Sequence, residues 1–426
     1  KVGVAYSFIL VSILSMSSLF YKVANPIYKG LSAVVFVFIL VSLLGGFKKI
    51  KMDVKFLILF GFVSGSHLLS ALVNHSSHLI GNATEIIFMV TYVLLFIMLN
   101  LSQLKKVFNL TAVTVQIVSF LSALFALSLL LAKVLILFKV GNRSYSYGVM
   151  NGRLWGIVNP NASAIFTYIS IILALYLIHQ GHKYSVLFKI NNIIQVLYFA
   201  MMQSRGALLS LLLMIGLYFA FVARGKISKR ILTFLSVAIL VFGTNVAISY
   251  VGSKYISRQK VTVYDLEKSK NYSVDDGNEK EKAAELHLIE TTPSGRTHIW
   301  QNALKMASKK PIFGYGVRNF PDYYSEYFSK YEIQNSLIGG NFHNIFITVF
   351  VSTGIVGLVA FMMLLGYIIQ RFVRYLFISK KNSDKLVMIL FFGMLLGQLF
   401  ESQIMYSTNF INIMFWFVAG YGLMIC

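Results

Sequence analysis

The run NIFITVFVSTGIVGLVAFMMLLGYII, residues 344–369, passes 26 positions without a charged side chain. A helix needs roughly 17 to 25 apolar residues to cross a hydrocarbon core of about 30 Å, so this stretch reads as a membrane span. Comparable runs occur at about 3–20, 28–46, 54–73, 84–100, 111–132, 161–178, 184–201, 206–223, 231–250, 386–402 and 409–425. The expectation is an all-α polytopic membrane protein of about twelve transmembrane helices, since backbone groups in lipid must be satisfied within the segment. Composition agrees: 57% of the 426 residues are hydrophobic and 12% charged, with a mean hydropathy of +0.72. A soluble domain carries about a quarter charged residues, so lipid has to solvate this chain. The first run, Val2 to Phe20, is too long for the apolar core of a signal peptide and shows no small-x-small cleavage pattern, so it is read as a span. Cys426 is the one cysteine, which leaves no intrachain disulfide to brace the polar parts.

Basic residues orient the spans. Every second connection, beginning after the second span, is rich in them: Lys48, Lys49, Lys51 and Lys55; Lys105 and Lys106; Lys183 and Lys189; Arg224, Lys226, Lys229 and Arg230; Arg371, Arg374, Lys380, Lys381 and Lys385. Connections 74–83 and 402–408, on the other side, contain none. The positive-inside rule makes the first set cytoplasmic, with both chain ends. That set holds seventeen basic residues against Asp53 and Asp384, or +15 of the formal net charge of +23. The basic balance is therefore a topology signal and not a nucleic-acid footprint. The chain divides into spans one to nine (1–250), a long extracytoplasmic loop (251–343) with thirteen basic and eleven acidic residues, and spans ten to twelve (344–426).

Residues 251–290 of the loop are polar, and Ser273 to Glu279 has turn chemistry with little to bury. This half is read as a spacer, and Asp275, Asp276 and Glu279 lack the spacing of a calcium loop. Thr292-Pro293-Ser294-Gly295 then reads as a helix start, capped by Thr292 or Ser294. Ile299, Trp300, Ala303, Leu304 and Ala307 recur at helical spacing, and Pro311 stops the helix, which is placed near 295–309. It is expected to lie along the membrane surface with Trp300 at the interface. Arg296, on the same face, suits the phosphate of a lipid or of a substrate. Phe313-Gly314-Tyr315-Gly316 suggests a tight turn with close backbone approach. Tyr323, Tyr324, Tyr327, Phe328 and Tyr331 suit a sugar platform and an interfacial belt equally. His343 falls at the outer boundary of span ten, open to a structural or a chemical role.

Met202-Gln203-Ser204-Arg205-Gly206 joins spans seven and eight with almost no loop, and an arginine at the hydrocarbon edge calls for an anionic partner or snorkels to the interface. Asn159-Pro160-Asn161 opens span six on the same side, after Arg143 and Arg153. Two acids, Glu85 and Glu401, lie within or at the ends of spans, toward the outside. Glu401 suits pairing with an arginine, orienting His343, or ending its span in water. His75 and His78 have no third ligand nearby, so no metal site is expected.

In their order and spacing, Ser204-Arg205-Gly206, Ser294-Gly295-Arg296, Ile299-Trp300, Ala303-Leu304, Pro311, Gly314, Gly316, Phe320, His343-Asn344, Gly354 and Gly357, with Asn159-Pro160-Asn161 before them, resemble the O-antigen ligase and polymerase superfamily over about residues 150–365. The resemblance implies a fold similar to the C-type membrane glycosyltransferases. It implies a metal-independent transferase without a cofactor, in a bacterial inner (plasma) membrane, with its active site on the extracytoplasmic face. The reaction implied moves oligosaccharide from a polyprenyl-pyrophosphate carrier to an acceptor glycan hydroxyl. On this resemblance Arg205 and Arg296 bind the pyrophosphate, and His343 is the base or orienter for the acceptor. Arg318 falls in the variable part of the glycine turn. Arg318, Arg153, Asn161, Glu401 and Tyr315 make up the candidate substrate-binding set.

Elementary chemistry agrees with that expectation. Nucleotide sugars are absent outside the membrane, so a donor must arrive activated. Arginine forks suit phosphate oxygens, and an imidazole takes a proton near neutral pH. Polymerisation of O-antigen or capsular repeat units is put first. Ligation of finished glycan to a lipid or protein acceptor shares the donor chemistry, and a lipid-linked-glycan flippase is the third reading. The partners expected are the bilayer, the lipid-linked oligosaccharide, an acceptor glycan, a chain-length regulator and a flippase.

Overall fold

Aspartate or asparagine marks the start of several helices, because a side-chain oxygen there accepts from first-turn N–H groups that have no helical partner. Asp53 accepts from Phe56, Asn159 from Ala162, Asn344 from Phe346 and Ile347, and Asn409 from Asn412, at 3.0–3.2 Å. The structure, a computed structural model, describes residues 1–17, 20–44, 53–74, 78–140, 143–150, 152–256, 260–265, 270–274, 296–335, 337, 342–407 and 409–426. Lys48, Lys49, Lys51, His75, Asp275, Asp276, Glu279, Thr292, Ser294 and Gly295 lie outside the described residues.

The helices are α1 Val2–Met16, α2 Tyr21–Leu44, α3 Val54–Val73, α4 Leu79–Val93, α5 Leu101–Ala132, α6 Pro160–His179, α7 Ser185–Met202, α8 Arg205–Phe221, α9 Ile227–Ile256, α10 Arg296–Lys309, α11 Lys330–Asn335, α12 Ile345–Ile378, α13 Asn382–Gly397 and α14 Phe410–Ile425. Seven are long and apolar enough to cross a membrane: α2 from Val23, α3, α5, α6, α7, α9 to Ala247, and α12. Helices α1, α4, α8 and α14 are apolar but shorter. The chain is a mostly helical, multi-pass membrane protein. The fourth expected span, 84–100, proves to be α4 followed by a 3-10 turn, Leu95–Met98.

The all-α expectation needs correction. Strands β1 (Val134–Val140), β2 (Arg143–Met150), β3 (Arg153–Trp155), β4 (Lys260–Asp265) and β5 (Lys270–Val274) form one sheet in the order β3-β2-β1-β4-β5. Strand β1 pairs antiparallel with β2 and parallel with β4. Residues 260–265 and 270–274, expected to be spacer, therefore supply two strands. The chain folds as two compact units. The first comprises Lys1–Ser15, Val23–Phe108 and Thr292–Cys426, and the second Met16–Lys22 and Asn109–Thr291.

In the first unit, α12 packs on α3 and on α10, and α13 packs on α14. Helix α12 is broken at Gly354 (φ 63°, ψ −165°), and the turn after α10 fills the break. Tyr315 N and Gly316 N donate to Val351 O and Ser352 O at 2.9 and 2.8 Å, while Ile355 N and Val356 N donate to Pro311 O and Ile312 O at 2.8 and 3.3 Å. A Cβ on Gly314 would fall 2.6 Å from Gly354 N, and one on Gly354 would collide with Ile312 O. The two glycines let the backbones meet, so groups that the break releases are paired with protein and not with lipid. From α3, Ser70 Oγ donates to Ser352 O and Asn74 Nδ2 to Gly314 O, both at 2.9 Å.

Contrary to the expectation of a lipid-facing helix, the apolar face of α10 is covered by protein. Ile299, Ala303, Met306 and Ala307 pack into a cluster with Tyr315, Phe320, Tyr324, Phe328, Phe342 and Val351. Trp300 packs against that cluster and donates Nε1–H to Phe342 O at 2.9 Å. The aromatic run is thus divided: Tyr324 and Phe328 are core, with Tyr323 and Tyr327 partly buried against it. Neither a sugar platform nor a membrane belt describes Tyr324, which is buried to within a few per cent.

Candidate functional site

The cluster around Phe342 positions the next residue. Phe342 is fully buried, with its ring centroid 5.5, 5.8 and 6.0 Å from those of Phe320, Tyr324 and Phe328. His343 follows with φ 53°, a left-handed conformation that non-glycine residues seldom adopt and that structure must hold in place. Asn344 caps α12 and also donates Nδ2–H to Leu399 O at 3.1 Å, while Ile345 N donates to Gln398 O at 3.0 Å. These bonds tie the start of α12 to the end of α13, and so bring His343 to Glu401.

Glu401 is 7% exposed, and it holds two partners at once. Arg296 Nη2 donates to Oε1 at 2.9 Å and His343 Nδ1 to Oε2 at 3.2 Å. A carboxylate is acceptor-only, so the Nδ1 position carries a proton, and in a neutral imidazole so held Nε2 is the acceptor nitrogen. Burial of a carboxylate is tolerated because a guanidinium compensates it. Of the three uses weighed for Glu401, the arginine pair and the histidine orienter coexist, and an exposed span end is excluded.

Arg318 is engaged differently. Its guanidinium pairs with Glu85 of α4, its backbone N–H donates to Asn82 Oδ1 at 3.0 Å, and Asn82 Nδ2 donates to Asn319 Oδ1 at 3.0 Å. The glycine turn is thereby fastened to α4 by a buried acid beneath a half-exposed arginine. Tyr315, expected to touch substrate, points into the core, where its hydroxyl donates to Met306 O at 3.2 Å; it is a packing residue. His78 bonds to Asp322 at 2.9 Å on the surface. Among the described residues, no group of three or more His, Cys, Asp or Glu gathers as a metal site.

In the second unit, Arg205 is exposed and opens α8, where the positive end of the helix dipole adds to its charge. The turn before it is shaped by Gln203, left-handed at φ 51°, which ends α7. Arg153 in β3 bridges two helix ends: Nε donates to Met202 O at 2.8 Å and Nη2 to Asn161 Oδ1 at 2.5 Å. Arg153 and Asn161, expected among the substrate contacts, fasten the end of α7 to the start of α6, which sets the turn that carries Arg205.

Two residues of the first unit escaped the sequence reading. His67 of α3 is buried, and its Nε2 lies 2.6 Å from the hydroxyl of Tyr406, a residue with φ 56°. An ionisable residue inside a span was the available signal.

Residues 190–362 match the family model described as O-antigen ligase, which bears out the resemblance to that superfamily, one of membrane glycan ligation. The matched stretch contains Arg205, Arg296, Arg318 and His343, and leaves out Arg153, Asn161, Glu85 and Glu401. No curated protein matches the chain.

Proposed function

We propose, from the premise that residues 190–362 match the O-antigen ligase family model, that the chain crosses the bacterial plasma membrane about twelve times. At its extracytoplasmic face it moves oligosaccharide from a polyprenyl-pyrophosphate carrier to an acceptor glycan hydroxyl, extending O-antigen or capsular polysaccharide by repeat units. The observation that carries this reading is the buried Glu401 carboxylate shared by Arg296 and His343.

Held through Nδ1, His343 presents Nε2 as the base. It takes the acceptor proton as the acceptor oxygen bonds to the anomeric carbon. The bond from that carbon to the carrier phosphate breaks, and its electron pair leaves on the pyrophosphate. Glu401 stabilises the imidazolium that forms. Arg296 meets Glu401 through one nitrogen, and its planar fork offers further N–H groups to phosphate oxygens. The family resemblance assigns a further pyrophosphate contact to Arg205. Each charge-assisted bond contributes about 1.5–3 kcal/mol. No step needs a metal or a cofactor.

Ligation is the second reading, favoured by the description of the matched family. Deletion separates the two: a lost polymerase leaves single repeat units, and a lost ligase leaves full chains on the carrier. A flippase would place its polar site near the midplane, whereas this carboxylate sits where helices begin and end. The deciding experiment supplies purified protein with lipid-pyrophosphate oligosaccharide and no other enzyme. Transfer is expected, and it should vanish in Arg205→Ala and His343→Ala proteins that remain folded. Translocation without transfer, or near-normal transfer by both variants, would overturn the reading.

A further inference from the structure

The connection from Gln398 to Asn409 carries Glu401 with no helix to hold it, so its shape depends on tethers. Its first half is tied to α12, through Ile345 N to Gln398 O at 3.0 Å and through Ser402 Oγ to Thr348 Oγ1 at 2.7 Å. Gln403 N also donates to Gln398 Oε1 at 2.8 Å. Its second half is tied to α14, where Trp416 Nε1 donates to Ile404 O at 2.7 Å. One tether reaches α3. His67 Nδ1 is 2.7 Å from Val63 O, and its Nε2 is 2.6 Å from the Tyr406 hydroxyl.

The carbonyl of Val63 accepts only, so Nδ1 of His67 bears the proton, and the neutral ring accepts the Tyr406 O–H at Nε2. Tyr406 has a left-handed backbone, which persists only where surroundings enforce it. The histidine is 4% exposed, inside α3. Its imidazole meets a side chain 339 positions away.

We propose that His67 and Tyr406 are positioning residues for the transfer: their hydrogen bond holds the 398–409 connection so that Glu401 meets Arg296 and His343 together. The inference rests on the transferase reading above. Loosening the tether displaces the carboxylate, and a misplacement of about 1 Å in a reacting array costs on the order of a hundredfold.

The test measures kcat, KM and thermal unfolding of the full-length protein in nanodiscs, with a lipid-pyrophosphate oligosaccharide donor. Tyr406→Phe deletes one hydroxyl and is expected to lower kcat by roughly tenfold to a hundredfold, with KM for the donor little changed. His67→Leu is expected to match it, and His67→Gln, whose side-chain carbonyl also accepts, to recover part of the loss. In a Glu401→Gln background, Tyr406→Phe should add almost nothing, because both act through one carboxylate. A merely structural tether would lower stability and leave the two effects additive. Wild-type kcat in Tyr406→Phe, or additive losses in the double variant, would overturn the inference. A wild-type protein that transfers nothing would instead overturn the transferase reading.

Discussion

Replacing Glu401 by Gln removes one charge and one acceptor oxygen while keeping the shape of the side chain. Arg296 and His343 occupy opposite oxygens, at 2.9 and 3.2 Å, and glutamine has a single oxygen. If that oxygen serves Arg296, the amide NH2 faces His343 Nδ1, which can meet it only as an acceptor. The ring proton then moves to Nε2, and the base is lost. If the oxygen serves His343, an amide NH2 opposes a guanidinium. At an effective dielectric near 20 and about 4 Å between charges, the lost attraction is about 4 kcal/mol. Relief of the carboxylate's desolvation and the one-quarter exposure of Arg296 offset much of it. Stability should therefore fall by only about 1–3 kcal/mol. The effect on rate should be larger, since an orienting carboxylate changed to its amide costs about 10⁴ in kcat in Ser-His-Asp enzymes. A loss of about 10² to 10⁴ in kcat is expected, which corresponds to about 3–5 kcal/mol of barrier. The assay is single-turnover transfer from lipid-pyrophosphate oligosaccharide, with thermal unfolding run in parallel. A folded Glu401→Gln protein within about threefold of the wild-type kcat, about 0.6 kcal/mol, would refute the carboxylate's role.

Three further outcomes are expected. Phe342→Ala, which empties the centre of the aromatic cluster beside His343, should cost about 3–5 kcal/mol in denaturant or thermal unfolding; an unchanged midpoint would show that the cluster does not anchor the site. Arg153→Lys loses the planar fork whose two nitrogens meet Met202 O and Asn161 Oδ1, so transfer should fall although the charge is kept, and wild-type transfer would contradict the bridge. Transfer should survive EDTA, and loss on chelation reversed by a divalent cation would point to metal-assisted chemistry.

The helices were legible because lipid demands them. Span 54–73 coincides with α3, 161–178 with α6 and 409–425 with α14 to within a residue or two, since an apolar run of that length has one low-energy form in a bilayer. The glycine turn was legible too, because Gly314 permits a backbone contact that a Cβ would block. Strand β1 was not. Val134-Leu135-Ile136-Leu137 is a short apolar run whose periodicity does not by itself distinguish strand from helix, while its parallel partner begins at Lys260. What covers α10 was not legible for a related reason: amphipathicity shows that one face is covered, not whether lipid or protein covers it.

From its own order, this sequence determines a multi-pass helical chain, a distinct segment near 296–343 and a short set of charged residues at helix ends. Those are consequences of hydrophobic length, capping chemistry and charge, all read within a few turns of chain. Tertiary structure alone decided which charges meet. Glu401 reaches Arg296 across 105 positions and His343 across 58, and Tyr406 reaches His67 across 339. Such contacts depend on how helices pack, and no local propensity records them.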